Sequence, residues 1–125
     1  MKNPIVDAWY ADPESRVYNG TVYIYVTNSL PFDDQKNLDL VTTDDLENFE
    51  DPKIIVDGEK LGFWADRDFW APEVHLYNGK FYMFASFKSE DKMRGTQILE
   101  ANKPDGMFQP ISKYAQTPEN WECLD

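Results

Sequence analysis

One segment of the sequence occurs twice. The residues from Tyr18 to Tyr25 (YNGTVYIY) return 59 positions later from Tyr77 to Phe84 (YNGKFYMF). The same spacing relates four further pairs, Ala11 and Trp70, Asp12 and Ala71, Leu40 and Leu99, and Phe49 and Phe108. A spacing that holds across a whole unit indicates an internal repeat, and its length is in the range of propeller blades. The sequence therefore predicts two copies of one structural unit.

Each unit has the pattern of antiparallel strands. Asn-Gly at 19–20 and at 78–79 lies between aromatic or β-branched residues, which predicts a tight type I′ hairpin turn in each copy. Further strands are predicted at 38–42, 54–56 and 96–101, a helical turn at 43–47, and a solvated loop at 88–95. Because no segment has a sustained helical period, we expect an all-β protein built from propeller blades of antiparallel strands.

The repeat also predicts how the chain is divided. We expect a partial β-propeller over 1–125, with a first blade at about 5–58, a second at about 63–115 and the start of a third at about 116–125. Two blades do not close a ring. We therefore expect an incomplete propeller, whose missing blades come from more chain, from self-association or from another protein.

Composition narrows the partners and the compartment. The net charge is −11, which disfavours nucleic acid and anionic membrane surfaces as partners. No apolar run is long enough to cross a bilayer, and the first residues lack the apolar segment of a signal peptide, so we expect a cytoplasmic protein or an export signal outside this chain. Cys123 is the single cysteine, which excludes an internal disulfide and a cysteine-based zinc site.

The segment 63–75 concentrates the residue types of a ligand site. It contains two Trp, two Phe, two Asp, a Glu, an Arg and the one His of the chain. Aromatic faces and carboxylates together suit a sugar-binding cleft, since rings contact the C–H side of a sugar and carboxylates accept bonds from its hydroxyls. The alternative is an edge strand with its charged residues turned to water.

Three motifs follow one another in the sequence. They are Asn3-Pro4-Ile5 followed by Tyr10-Ala11-Asp12-Pro13, the hairpin strand 22–25, and Trp70-Ala71-Pro72-Glu73-Val74-His75 with its own Asn-Gly hairpin. In this order they resemble glycoside hydrolase family 43. The resemblance implies a five-bladed propeller and a glycosidase of the arabinofuranosidase or β-xylosidase type, which inverts the anomeric carbon of arabinose- or xylose-containing oligosaccharides or polysaccharides. It implies no cofactor or metal site in this chain and a structural calcium in the complete propeller.

The resemblance also assigns roles to residues. It matches Asp12 to the general base and Asp125 to the Asp that adjusts the pKa of the general acid, and it implies that the acid itself is a Glu expected after residue 125. It places Trp70 and Glu73 in the substrate cleft, with Phe69 and His75 beside them.

Each assignment has a structural alternative. Asp12 could be a turn residue before Pro13. Trp70 and Phe69 could be core aromatics, and His75 could make a structural hydrogen bond. Arg67 is expected to form a local ion pair. For the whole chain, the alternative is a carbohydrate-binding propeller piece without catalysis.

Overall fold

The computed structural model describes residues 3–123, which form two four-stranded antiparallel sheets. The first sheet consists of β1 (Tyr10–Tyr18), β2 (Thr21–Asn28), β3 (Asn37–Thr43) and β4 (Lys53–Asp57). The second consists of β5 (Arg67–Tyr77), β6 (Lys80–Lys88), β7 (Gly95–Ala101) and β8 (Gln109–Pro110). Strand order in each sheet is sequence order, as in the blades of a propeller. The predicted all-β fold is confirmed.

The two Asn-Gly pairs form the predicted hairpin turns. Asn19 and Gly20 have φ of 51° and 85°, and Asn78 and Gly79 have φ of 48° and 79°. Positive φ at both central positions is the requirement of a type I′ turn, and Asn and Gly meet it at low cost. The turns join β1 to β2 and β5 to β6, so both copies of the repeat begin with the same hairpin.

Two local predictions were wrong. No helical turn forms at 43–47, because the Asp45 carboxylate accepts the backbone N–H groups of Glu47 at 2.8 Å and Asn48 at 2.7 Å and holds a side-chain turn instead. The loop at 88–95 was predicted to be solvated but is partly buried, since Ser89 is 6% and Arg94 3% exposed.

A short helix that was not predicted, α1, lies at Gly58–Leu61, where the side chain of Asp57 caps its first turn.

The core lies between the facing sides of the two sheets. On the second sheet, Val74, Met83 and Leu99 form a row across three strands and are all 0% exposed. The opposite side of the sheet carries a second row across the same three strands, formed by Glu73, Phe84 and Ile98. Phe84 in this row is 39% exposed. One face of this sheet is therefore packed against the first sheet and the other is open.

Polar bonds also join the sheets. The Tyr25 hydroxyl donates to the carbonyl of Pro104 at 2.6 Å, and burial raises the pKa of Tyr25 far above its ordinary value. The N–H of Phe69 donates to the carbonyl of Gln35 at 2.9 Å. These bonds satisfy buried groups on both sides and fix one sheet against the other.

No helix among residues 3–123 has the length and apolar character needed to span a membrane.

Candidate active site

Asp12 lies in an irregular part of β1, the edge strand that begins the first sheet. The pairing of β1 with β2 shifts between Ala11 and Glu14, and Asp12 has a φ of 50°. This bulge leaves the side chain exposed, while the hydroxyl of Thr27 on β2 donates to Asp12 Oδ2 at 2.9 Å. Asp12 thus combines solvent access with a defined anchor, as a residue that must act on a water molecule requires.

The second sheet contacts the first beside Asp12 through β5, the edge strand that begins it. The backbone N–H of Ala71 donates to the hydroxyl of Thr27 at 2.8 Å. β5 has pairing shifts on both sides of Trp70, and Ala71 there has a φ of 50°. Since Thr27 is 2% exposed, the bond that joins the two sheets beside Asp12 is shielded from water.

Trp70 is held by polar groups from both sheets. Its indole N–H donates to the side-chain carbonyl of Gln35, which lies on the connection between β2 and β3. The guanidinium carbon of Arg94 lies 3.6 Å from the centroid of the Trp70 ring, in a cation–π contact. The ring of Phe32 meets Trp70 edge-on at 5.4 Å. Trp70 is half-buried, and its orientation is fixed.

Arg94 is itself held by a buried ion pair. One of its terminal nitrogens lies 3.0 Å from Asp68 Oδ2, and the other donates to the Asp68 carbonyl at 3.1 Å and to the Ser86 hydroxyl at 3.2 Å. Arg67 forms the local ion pair predicted for it with its other neighbour, Asp66, at 2.9 Å.

Glu73 and His75 form an exposed pair on the open face of the second sheet. His75 Nε2 lies 2.8 Å from Glu73 Oε1, and the ring of Phe84 meets the imidazole edge-on at 6.0 Å. Together with Ala71 and Ser86 they line an open groove. Both side chains reach solvent, so their polar atoms are accessible to a ligand.

Glu14 and Arg16 lie on β1, two and four residues after Asp12, and they also link the two sheets. Glu14 Oε2 accepts the N–H of Val74 at 3.3 Å, and Arg16 Nε donates to the Val74 carbonyl at 2.9 Å. Glu14 and Arg16 are also ion-paired at 2.6 Å. Burial raises the pKa of the Glu14 carboxyl, against the opposing effects of the Val74 N–H and Arg16. This carboxylate is engaged in joining the sheets.

Phe69 does not lie with the other candidates. It is 0% exposed, and the rings of Phe63 and Phe87 meet it edge-on at 5.6 Å and 4.8 Å. The structure therefore gives Phe69 the core position that was the alternative for it. Trp64 is also structural, since it packs against the core and donates its indole N–H to Gln97 Oε1 at 2.6 Å.

Asp125, which the resemblance matched to the Asp that adjusts the pKa of the general acid, lies outside the described residues. Within residues 3–123, no three His, Cys, Asp or Glu side chains are grouped so that they could hold a metal ion.

Thr27, Gln35 and Arg94 surround Asp12 and Trp70 and were not predicted from the sequence. The repeat contained a signal for them. Thr27 and Ser86 are 59 residues apart and lie at equivalent places on β2 and β6. Gln35 and Arg94 are also 59 residues apart and lie on the connections after those strands. A polar residue repeated at a buried position indicates a structural hydrogen bond, although the repeat does not show to which residue.

The fold defines a class. Each of the two sheets has four antiparallel strands in sequence order, which is the architecture of β-propeller blades. The model of the glycosyl hydrolases family 43 matches residues 1–125, and the chain belongs to this family.

Individual relatives agree with the family. The chain is 24% identical to "Xylosidase/arabinosidase 43A" of Humicola insolens over 119 residues, covering 85% of this chain and 36% of that protein. It is 25% identical to a "Xylosidase/arabinosidase" of Bacteroides ovatus, covering 94% of this chain and 41% of the relative. The crystal structure of an endo-arabinase from Bacteroides thetaiotaomicron superposes with a TM-score of 0.79 at 33% identity, covering 91% of this chain and 38% of that one. The chain thus spans about two fifths of the length of these relatives.

Proposed function

We propose that the protein is an inverting glycoside hydrolase of arabinose- or xylose-containing glycans and that Asp12 is its general base. The observation that carries this proposal is the geometry of Asp12, an exposed carboxylate anchored through one oxygen to the buried Thr27. Within residues 3–123, Asp12 Oδ1 has no hydrogen-bond partner. It is therefore free to accept a proton from the water that attacks the sugar.

The reaction needs a second carboxyl group on the other side of that water. In inverting glycosidases, the acid and the base are about 6.5–9.5 Å apart, which leaves room for the water molecule between them. Glu14 has a raised pKa but is bound to Val74 and Arg16, so it is not available as the acid. We propose that the acid comes from outside residues 3–123, that Asp125 adjusts its pKa, and that the chain of residues 1–125 is inactive alone.

Three side chains are proposed to contact the substrate. Trp70 is a half-buried aromatic with a fixed orientation, which suits it to limit the position of a sugar ring. Glu73 and His75 are exposed and offer polar atoms to sugar hydroxyls. The proposed sugars follow from family membership and from the relatives, two of which are named for xylosidase and arabinosidase activity.

The test compares Asp12→Asn with Asp51→Asn in the complete protein that contains this sequence. Asp51 is an exposed acid on the connection between β3 and β4, so its variant controls for the lost charge. We expect Asp12→Asn to lower kcat for nitrophenyl α-L-arabinofuranoside or β-D-xyloside by about 10²–10⁴-fold, the usual contribution of a general base. Asp51→Asn is expected to keep full activity.

Two results would contradict the proposal. Undiminished hydrolysis by Asp12→Asn would remove Asp12 from the chemistry. Binding of xylo- or arabino-oligosaccharides by the complete protein, with no hydrolysis of either nitrophenyl glycoside, would favour a carbohydrate-binding protein without catalysis. The stereochemistry is checked separately by NMR, where the first product must have the anomeric configuration opposite to that of the substrate.

A further inference from the structure

The hydroxyl of Thr27 lies at the junction between the two sheets. Thr27 lies on β2 opposite Ala11, next to the bulge that carries Asp12. Its side chain is 2% exposed and bonds to two groups, the Asp12 carboxylate and the Ala71 N–H. One small side chain therefore connects the proposed base to the neighbouring blade.

The direction of these two hydrogen bonds is determined by the donors. The Ala71 amide can only donate, so the Thr27 oxygen accepts from it at 2.8 Å. The single hydroxyl proton is then directed to Asp12 Oδ2 at 2.9 Å. The order is backbone amide, hydroxyl, carboxylate. Each bond polarises the next, and the series ends on Oδ2 of Asp12.

The second copy of the repeat differs at this point. Ser86 and Ala71 occupy the places of Thr27 and Asp12, and the Ser86 hydroxyl accepts from Arg94 instead. Thr has a second substituent on its β-carbon that restricts rotation about χ1, which Ser lacks. The blade with the carboxylate therefore has the more rigid of the two hydroxyl residues.

We propose that Thr27 is a positioning residue for the reaction, which fixes Asp12 relative to the second blade. This inference rests on the proposed role of Asp12 as the base. An exposed Asp side chain without an anchor would rotate among several conformations, most of which point away from an attacking water. The bond to Oδ2 restricts rotation of the exposed carboxylate and leaves Oδ1 without a hydrogen-bond partner among residues 3–123, and the Ala71 amide ties that orientation to the strand that carries Trp70.

The first experiment measures position and needs no activity. Crystal structures of the complete protein are compared for the wild type, Thr27→Val and Thr27→Ser. Val has the shape of Thr without the hydroxyl, and Ser keeps the hydroxyl. We expect the Asp12 carboxylate to move by about 1 Å or more in Thr27→Val, a displacement large enough to affect catalysis, and to keep its place in Thr27→Ser. If Thr27→Val does not fold, Thr27→Ala takes its place. An unmoved carboxylate in the variant without the hydroxyl overturns the proposal.

The second experiment measures the rate. Thr27→Val is expected to lower kcat for the nitrophenyl glycosides by about 10- to 100-fold with KM changed less than about threefold, because misplacement of a catalytic group affects the chemical step. Thr27→Ser is expected to recover most of the rate, which a general loss of packing would not predict. Melting temperatures show whether each variant is folded.

Asp12→Asn, assayed in parallel, distinguishes the role of Asp12 as the base from the positioning role of Thr27. If Asp12→Asn is inactive and Thr27→Val keeps its kcat, the positioning role is wrong and the base assignment stands. If Asp12→Asn is active, the base assignment is wrong, and with it the catalytic role inferred for Thr27.

Discussion

Asp12 and Ala71 are 59 residues apart in the sequence, have the same φ of 50°, and meet through the hydroxyl of Thr27. The repeat therefore reproduces a strained backbone position in both blades and places the two copies side by side. Positive φ is unfavourable for a residue with a β-carbon. Only one copy carries a carboxylate. The backbone of this junction is common to the blades, and its proposed chemistry depends on the side chain at position 12.

Trp70 offers a test of the substrate cleft. Replacing it with Ala removes the aromatic surface proposed to meet the sugar, and we expect affinity for xylo- or arabino-oligosaccharides to fall about tenfold, or ~1.4 kcal/mol. Tyr77→Ala is the control, because Tyr77 is an exposed aromatic at the far end of the same strand. Isothermal titration calorimetry on the complete protein measures both. Equal losses for the two variants, or none for Trp70→Ala, would contradict the proposed contact.

Arg94 is expected to contribute strongly to stability. Replacement by Met leaves Asp68 charged and buried without its partner, which typically costs about 3–5 kcal/mol in the free energy of unfolding. Adding Asp68→Asn removes that charge, so the double variant should lose less than the sum of the single variants. Urea denaturation measures all three.

Arg67→Met provides the matched control for Arg94. The Arg67 ion pairs lie at the surface, where such a pair contributes about 0–1 kcal/mol. A small effect of Arg94→Met, similar to that of Arg67→Met, would show that the buried pair is not important for the fold.

Asp39 should make stability depend on pH. Burial raises the pKa of its carboxyl above the ordinary value of 3.8, although a hydrogen bond from Tyr10 opposes the shift. The folded protein thus binds this proton more tightly than the unfolded chain. The contribution is complete below pH 3.8 and is lost as the pH rises through the raised pKa.

Asp39→Asn removes this titration and keeps an acceptor for Tyr10. We expect the stability of the wild type relative to this variant to decrease as the pH is raised from 3.8 toward neutrality, as measured by urea denaturation at each pH. Asp51→Asn serves as the exposed control. A difference between wild type and Asp39→Asn that stays constant, or that grows with pH, would refute the assignment.

The open face of the second sheet should cause self-association of the chain of residues 1–125. Phe84 lies in its central row, between Glu73 and Ile98, and is 39% exposed. Apolar surface of this kind favours contact with another sheet. We expect the mass by light scattering to rise with protein concentration, and Phe84→Glu to reduce the rise. Leu30→Glu adds the same charge on the connection after β2 and should not. A concentration-independent monomer mass would contradict this expectation.

Several features of this protein were determined by its sequence. Asn-Gly adopts the positive φ of a type I′ turn at low cost and so forms the two hairpins, the 59-residue period predicts two equivalent sheets, and the three motifs indicate the family. Local interactions also explain the wrong prediction at 43–47. A helical turn and a turn held by Asp45 use similar polar residues, and only the hydrogen bonds actually formed distinguish them.

The arrangement around the site was decided by tertiary structure. Thr27 meets Ala71, Gln35 meets Trp70, and Arg94 meets Asp68, and each contact joins residues 26 to 44 positions apart. Phe69 and Trp70 are neighbours in sequence, yet one is in the core and the other is held at the half-buried junction. Strand alternation predicts that neighbours face opposite sides. Which side is buried depends on where the second sheet packs against the first, and that follows from contacts between residues far apart in the sequence.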